Sequence, residues 1–515
     1  MLLHALCGAL LALAAPVAAT PVPQVPLTMR QTSGSLSVVD GQPSFTFEYQ
    51  SSPANERNWI GVYNVGGGPK DGQSQGPSLV WDWASDAEGT VTIDASNLTP
   101  GSYEAWLLAD NGYVAIDGPV ELELARQPGP LTFFTDAATL KNARVGDEFK
   151  ANVSGLLGGG GDSEVSYTID GDHWLSISSD GALTGTPSSA GTSHFNITAS
   201  TATDGSATLS VSIPVVKSGS ALVSELSVLT YNLWHGGTQV NGYHAKQVAF
   251  LASGGFDIVA LQETTSDHAT RLANALGWDS FQSTRSVGII SRYPIVETYP
   301  EHDHGGAVRV ALDGDKSQVN VWAVHLNAYP YGPYGFCFDG LSADGVLAME
   351  EGDARRGPQA RDTIKLMADH ISNADKIPVI LAGDFNAPSH LDYTDATSSS
   401  HCGAGAFDWP SSKAPVDAGL TDSFREAHPD PAKEPGISWS PIYLDNEGRP
   451  EPLDRIDFVY YKGGFEVLSA ETHVVGDPKP EPDHKDNEWT SDHAAVGAKY
   501  KLLRGRECAK GQCGR

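Results

Sequence analysis

The residue pattern of this 515-residue chain changes once, near Leu222, and that change sets its architecture. Up to about Lys217, short runs alternate apolar and polar residues between Gly, Pro, Asn and Asp, as half-buried strands do. From Leu226 onward strands alternate with helices. Leu226–Tyr231 and Asp257–Leu261 read as strands, with helices through Gln247–Ser253 and Ala269–Leu276. Strands at Val319–Val324 and Val379–Leu381 and a helix through Gln359–His370 follow. Such alternation predicts an α/β domain. A chain of this length also exceeds what one core supports, roughly 250–300 residues.

The expected organisation is multidomain: two all-β sandwiches, then the α/β unit. After the spacer Pro21-Val22-Pro23-Gln24-Val25-Pro26, a β-sandwich is expected over 27–126, with strands at Phe45–Tyr49, Asn58–Tyr63, Val91–Ile93 and Tyr103–Leu108. Gln127-Pro128-Gly129-Pro130 marks a boundary, and a second β domain over 130–217 carries Val165–Ile169, Trp174–Ile177 and Ala207–Val211. Its run from Leu175 to Pro187 resembles immunoglobulin-like or cadherin-like modules, which implies spacing or adhesion and no chemistry. The α/β unit spans 222–502, and 503–515 is a tail.

Residues 1–19 read as a cleaved secretory signal: an apolar run to Ala15, then Val17-Ala18-Ala19. No later segment is long and apolar enough to span a bilayer, so a secreted, extracellular protein without a transmembrane segment is expected. Removal of Cys7 leaves Cys337, Cys402, Cys508 and Cys513. An even number suits disulfides in an exported chain; of the three pairings, Cys337–Cys402 with Cys508–Cys513 is expected. The sequons at Asn152 and Asn196 are expected glycosylation sites, while Pro100 makes the one at Asn97 a poor acceptor. The net charge of −30 gives none of the counterion-release affinity of basic nucleic-acid binders, so no stable nucleic-acid complex is expected.

Several segments of the C-terminal half place a polar residue at the end of an apolar strand. They are Thr230-Tyr231-Asn232, Leu261-Gln262-Glu263, Val324-His325, Gly383-Asp384-Phe385-Asn386, Asp454-Arg455-Ile456-Asp457 and Ser491-Asp492-His493. Strand ends can hold such groups convergently without burying unsatisfied charge. Taken singly, Asp384 and Asn386 could be turn formers and His325 a hydrogen-bonded core histidine. Nothing comparable precedes Leu222, so the ensemble points to a site.

In this order the motifs resemble the endonuclease/exonuclease/phosphatase superfamily, across the whole span 222–502. The resemblance implies a four-layered αββα sandwich and a metal-dependent phosphoester hydrolase. It implies magnesium, with manganese or calcium as alternatives, at a metal site of Glu263, Asn232 and Asp492, with Glu263 the main ligand, Asp492 a second, and Asn232 orienting Glu263 and the phosphate. Asp384 would activate or orient water, and Asn386 would hold the phosphate or the nucleophile. Asp457 would fix the tautomer of His493, which binds phosphate or acts as base; His325 would act from the opposite side.

Tyr331 and Tyr334, in the aromatic segment after His325, are candidate substrate contacts. Arg356 is another, though such arginines often pair with nearby acids, here Glu350, Glu351 and Asp353. The inositol-phosphatase signature is absent, since Leu381-Ala382-Gly383 precedes Asp384. A small or lipid-derived phosphodiester is the expected substrate, and a secreted nuclease the alternative. A non-catalytic adhesion protein, contacting cell surface or matrix through its β domains, is the third reading. Its degenerate copy of the site should have lost residues, whereas every assigned position is filled.

Overall fold

The computed structural model describes residues 33–503, apart from 40–44, 76–77, 94, 96–97, 99–100, 125, 127–128, 162 and 265–266. The expected signal, the sequon Asn97 and the expected Cys508–Cys513 bridge lie outside the described residues.

The first β domain packs a three-stranded sheet (Ser33–Val38, Thr46–Ser52, Glu88–Thr92) on a four-stranded one (Val80–Trp83, Trp59–Asn64, Gly101–Leu108, Ala115–Leu124). Phe47, Tyr49, Ile60, Val62, Ala105 and Leu107 fill the space between them. In the second, the long hairpin Gly191–Ser200/Ser206–Val216 anchors one sheet, Phe149–Asn152, Ala182–Gly185 and Leu175–Ile177 form another, and Thr132–Phe133 pairs with Leu157–Gly158. Asn196 is exposed on that hairpin; Asn152 is half-buried, with Oδ1 accepting from Ser154 N at 2.8 Å.

The C-terminal half is built on two six-stranded sheets. One orders Asp279–Gln282, Val287–Ser291, Ile258–Gln262, Glu225–Asn232, Ala495–Leu502 and Phe465–His473. The other orders Ile295–Thr298, Gly305–Asp315, Gln318–His325, Val379–Asp384, Asp457–Lys462 and Thr421–Asp422. Strand periodicity explains the layering. Leu226 and Val228 point between the sheets, against Val321, Ala323, Ile380 and Ala382. Leu229 and Tyr231 point the other way, against Val248, Leu251 and Leu272 of the helices Tyr243–Ser253 and His268–Leu276. On the far side Trp322, Val324 and Leu381 pack against Ala360 and Met367. Strands covered on both faces read as continuous apolar runs, and the layers are α, β, β, α as expected.

Two local expectations need correction. The helix expected over Gln359–His370 is two, Arg356–Leu366 and Ala368–Ser372, with Met367 between them. The strands Val287–Ser291, Gly305–Asp315 and Ala495–Leu502 add to those read from the sequence. Cys337 and Cys402 are disulfide-bonded as expected, closing a span of 65 residues beside the site.

Candidate active site

Strand register brings the polar ends together. Glu225–Asn232 and Ile258–Gln262 run parallel with Asn232 opposite Gln262, so the chain delivers Asn232 and then Glu263 at one sheet end. In the facing sheet His325 pairs with Asp384, and Asp384 with Asp457 across the next, antiparallel ladder. Gly383 permits this close pairing, because a Cβ there would stand 2.1 Å from the Val324 carbonyl oxygen. His493 follows through Ser491, whose Oγ accepts from His493 N (3.0 Å) and donates to the Asn232 carbonyl (2.6 Å). Thus Asn232, Glu263, His325, Asp384, Asn386, Asp457, Asp492 and His493 all meet at the adjoining ends of the two sheets.

Asp384 is the centre. Its Oδ2 accepts from Asn232 Nδ2 at 3.0 Å and Asn386 Nδ2 at 3.2 Å, and its Oδ1 from Asn386 N at 2.7 Å. Two imidazoles flank the same Oδ2, His325 Nε2 at 3.6 Å and His493 Nε2 at 3.7 Å. His493 Nδ1 is 2.8 Å from Asp457 Oδ2, and Asp457 is itself fixed by Ser438 Oγ, which accepts from its backbone N at 3.1 Å. Burial alone would lower the His493 pKa, but the carboxylates of Asp457 and Asp384 outweigh it and hold it well above the usual value. Asp384 is raised, first by burial and then by Asp457, against the pull of the imidazoles.

Asn386 Nδ2 also donates to the Leu326 carbonyl at 2.9 Å. With both its amide hydrogens on acceptors, what it can offer a ligand is its Oδ1. Asn232 is likewise engaged: Nδ2 reaches Glu263 Oε1 at 3.4 Å as well as Asp384, and Oδ1 accepts from Trp234 N at 2.9 Å. It therefore bridges the two carboxylates through Nδ2, and its Oδ1 keeps one lone pair beyond the Trp234 N–H. Trp234, His235, Glu263 and Asn386 all hold φ between 50 and 56°. Side-chain-bearing residues rarely adopt that conformation, and it clusters at functional sites.

The donor set fits a hard divalent cation. Asp492 is buried, its Oδ1 has no hydrogen-bond partner, and burial followed by the nearby Glu263 carboxylate pushes its pKa up to about 7. Glu263, which burial would raise, is held below the usual range by His325, the His235 N–H and His493. An all-oxygen pair with an orphaned carboxylate oxygen suits magnesium. Asp384, Asp457 and His493 also bring potential ligand atoms within 4.8 Å of one another. In that trio His493 Nδ1 is already engaged by Asp457 Oδ2 at 2.8 Å, which leaves Nε2 as its ligand atom.

The site floors a cleft of about 550 Å³ whose aromatic side includes Trp234, Tyr331, Tyr334, Trp439 and Tyr443. Tyr331 and Tyr334 thus line the cleft. The Tyr334 hydroxyl donates to Glu451 Oε1 at 2.8 Å, as does Trp439 Nε1 at the same distance, while Tyr331 OH donates to Asp454. Arg356 corrects the expectation of a substrate contact. It is fully buried, ion-paired with Glu350, and donates to the carbonyls of Asn327, Ala328 and Pro330, so it braces the aromatic loop from behind. Arg361 pairs with Glu351.

Sequence reading missed Ser286, whose Oγ is 3.0 Å from His325 Nδ1, and also Trp234, Trp439 and Tyr443. Trp234 closes the strand-end segment Thr230-Tyr231-Asn232-Leu233-Trp234 but was given no role there; the others come from loops without a pattern.

The sequence model of the Endonuclease/Exonuclease/phosphatase family matches residues 229–493, and that of the "Putative Ig domain" family matches 132–216. An uncharacterized Caenorhabditis elegans protein, F14F9.5, is 31% identical over 294 residues, covering 54% of this chain and 92% of its own length. Truncated TDP2 from C. elegans matches with 15% identity and TM-score 0.36, over 54% of this chain and 98% of that one. The human Nocturnin catalytic domain matches with 16% identity and TM-score 0.35, over 55% and 97%. A mannosyl-6-phosphatase of Bacteroides thetaiotaomicron matches with 17% identity and TM-score 0.34, over 54% and 100%. With its motifs gathered at one pair of sheet ends and the family's model covering 229–493, the chain belongs to the Endonuclease/Exonuclease/phosphatase family.

Proposed function

We propose that this protein is a secreted, magnesium-dependent phosphodiesterase acting on a small or lipid-derived phosphodiester. The observation that carries the reading is Asp384 Oδ2 flanked by two imidazoles, with Glu263 and the orphaned Asp492 Oδ1 in the same cleft. Glu263 and Asp492 would hold the metal, which when bound supplies positive charge to the phosphoryl oxygens.

The remaining work falls to the chain. Asp384 accepts a hydrogen bond from the attacking water and takes its proton, while the Asn386 oxygen orients that water in line with the scissile P–O bond. His493, held protonated by its two carboxylates, faces the charge that develops on phosphorus-bound oxygen. His325, oriented by Ser286 on the other flank of Asp384, donates a proton to the leaving oxygen as the P–O bond breaks, so the products are the alcohol and the phosphomonoester. The disulfide supports an oxidising, extracellular setting. None of the described residues lining the cleft is Lys or Arg, which favours a small diester over a nucleic-acid polymer.

Hydrolysis of bis(p-nitrophenyl) phosphate by the purified protein tests the reading. Turnover in magnesium, abolished by EDTA and restored by excess magnesium, is the expected result. Turnover insensitive to EDTA would refute the metal assignment, and turnover of a monoester alone would refute the diester preference.

A further inference from the structure

The cleft continues beyond the catalytic groups into a wall that the hydrolysis does not use. Trp234 and Tyr443 meet nearly at right angles, with ring centroids 5.9 Å apart and planes at 78°. Trp439 stacks on Tyr443 at 5.5 Å and 29°, and meets His493 edge-on at 5.0 Å, so the wall is continuous with the catalytic centre. Glu451 fixes Trp439 through its indole N–H, so the wall is braced.

The same end of the cleft is acidic. Asp445, Glu447 and Glu481 line it together with these rings. Glu481 makes no ion pair among the described residues, and its backbone N bonds to the carbonyl of Ile442, directly beside Tyr443. Of these three acids, Glu447 alone forms an ion pair among the described residues, with Arg449 at 3.8 Å in an exposed pair. Uncompensated carboxylates around perpendicular aromatic faces are an unfavourable surround for a second anion. A cation set within about 6 Å of such ring centroids is attracted by both the ring faces and the charge.

We infer that this wall is a subsite for an organic cation, an alkylammonium group carried by the phosphodiester substrate. The inference rests on the phosphodiesterase reading of the site. It adds that the phosphoryl group and a positive charge lie on one small molecule, the first over Asp384 and the second against Trp234 and Tyr443. A sugar could stack on the same rings, but its recognition leaves the excess carboxylate charge without a partner.

The test separates binding from turnover. Choline is titrated into the full-length protein and followed by intrinsic tryptophan fluorescence, beside its uncharged isostere 3,3-dimethyl-1-butanol and beside glucose. Saturable choline binding, at least about tenfold tighter than the isostere and weakened in both Tyr443→Leu and Glu481→Gln, is expected. Choline binding no better than the isostere, or weaker than glucose, overturns the subsite whether or not the protein hydrolyses anything. In the second arm, kcat/KM for p-nitrophenyl phosphorylcholine is compared with that for 3,3-dimethylbutyl p-nitrophenyl phosphate. A preference of about tenfold or more for the charged ester, residing in KM and shrinking in both variants, supports the proposal; equal values overturn it. Selective choline binding without turnover of either ester, or of bis(p-nitrophenyl) phosphate, keeps the subsite and refutes the phosphodiesterase reading instead. The 2-aminoethyl ester of p-nitrophenyl phosphate tells a primary from a quaternary ammonium substrate.

Discussion

Asp384 and Asp457 are directly opposed on adjacent antiparallel strands, and both are about 1% exposed. Two neighbouring carboxylates cannot both stay ionised in such surroundings without a cation. The imidazole of His493 meets that need, bonding Asp457 through Nδ1 and facing Asp384 through Nε2. The charge state of the site is therefore a property of three residues together.

Asp457→Asn removes the charge that keeps His493 protonated and its ring oriented. A fall in kcat of about 10²–10⁴-fold is expected, with little change in KM and an unaltered far-UV circular dichroism spectrum. A change in KM alone would contradict the assigned role.

Glu263→Gln and Asp492→Asn each remove one carboxylate from the metal site. Each should raise the magnesium concentration for half-maximal activity by about tenfold or more. A magnesium titration of diester hydrolysis reads this directly; unchanged titrations would move the metal elsewhere.

Arg455 is fully buried, with Nη2 at 2.9 Å from both Asp392 Oδ1 and Asp422 Oδ2. Arg455→Met leaves these acids facing the apolar interior, with Arg425 still paired to Asp392. A loss of about 3–5 kcal/mol in urea unfolding is expected. Arg361→Ala, which breaks an exposed pair, should cost less than about 1 kcal/mol.

His302 is held neutral: burial first, then His304, lower its pKa to about 4. The unfolded chain takes up a proton near pH 6.5, which the folded state refuses until about pH 4. Its contribution to stability is present above about pH 6.5 and is lost as pH falls through that window. Wild type should therefore lose stability relative to His302→Phe between about pH 6.5 and 4, in urea melts at each pH. Parallel curves would refute this. The comparison with the variant matters because buried Asp257, raised by burial to about 6, titrates with the opposite sign in the same range.

The legible part of the site was the part written at strand ends. Apolar strands ending in Asn232, Glu263, His325 and Asp384 carry both the sheet pattern and the chemistry in adjacent residues, so one reading gave both. Ser286, Trp439 and Tyr443 come from loops whose position depends on tertiary packing, and no periodicity marks them. Arg356 shows the limit of reading side chains by type. Its residue type suggested a substrate contact, but the helix Arg356–Leu366 starts there and turns the guanidinium inward to three carbonyls and to Glu350, one of the nearby acids named as the alternative. The strand Gly305–Asp315, to which the sequence reading assigned no element, begins with two glycines that sit where a Cβ would strike the Ala323 carbonyl and the Phe281 ring.

The most direct test of the account is the rate of bis(p-nitrophenyl) phosphate hydrolysis by Asp384→Ala in saturating magnesium. Loss of about 10³-fold or more in kcat, with the fold intact by circular dichroism, is predicted, because the substitution removes the water's proton acceptor and the anchor shared by Asn232, Asn386 and both imidazoles. Turnover within a few-fold of wild type would contradict the assignment of this site as the place where the phosphoester is cleaved.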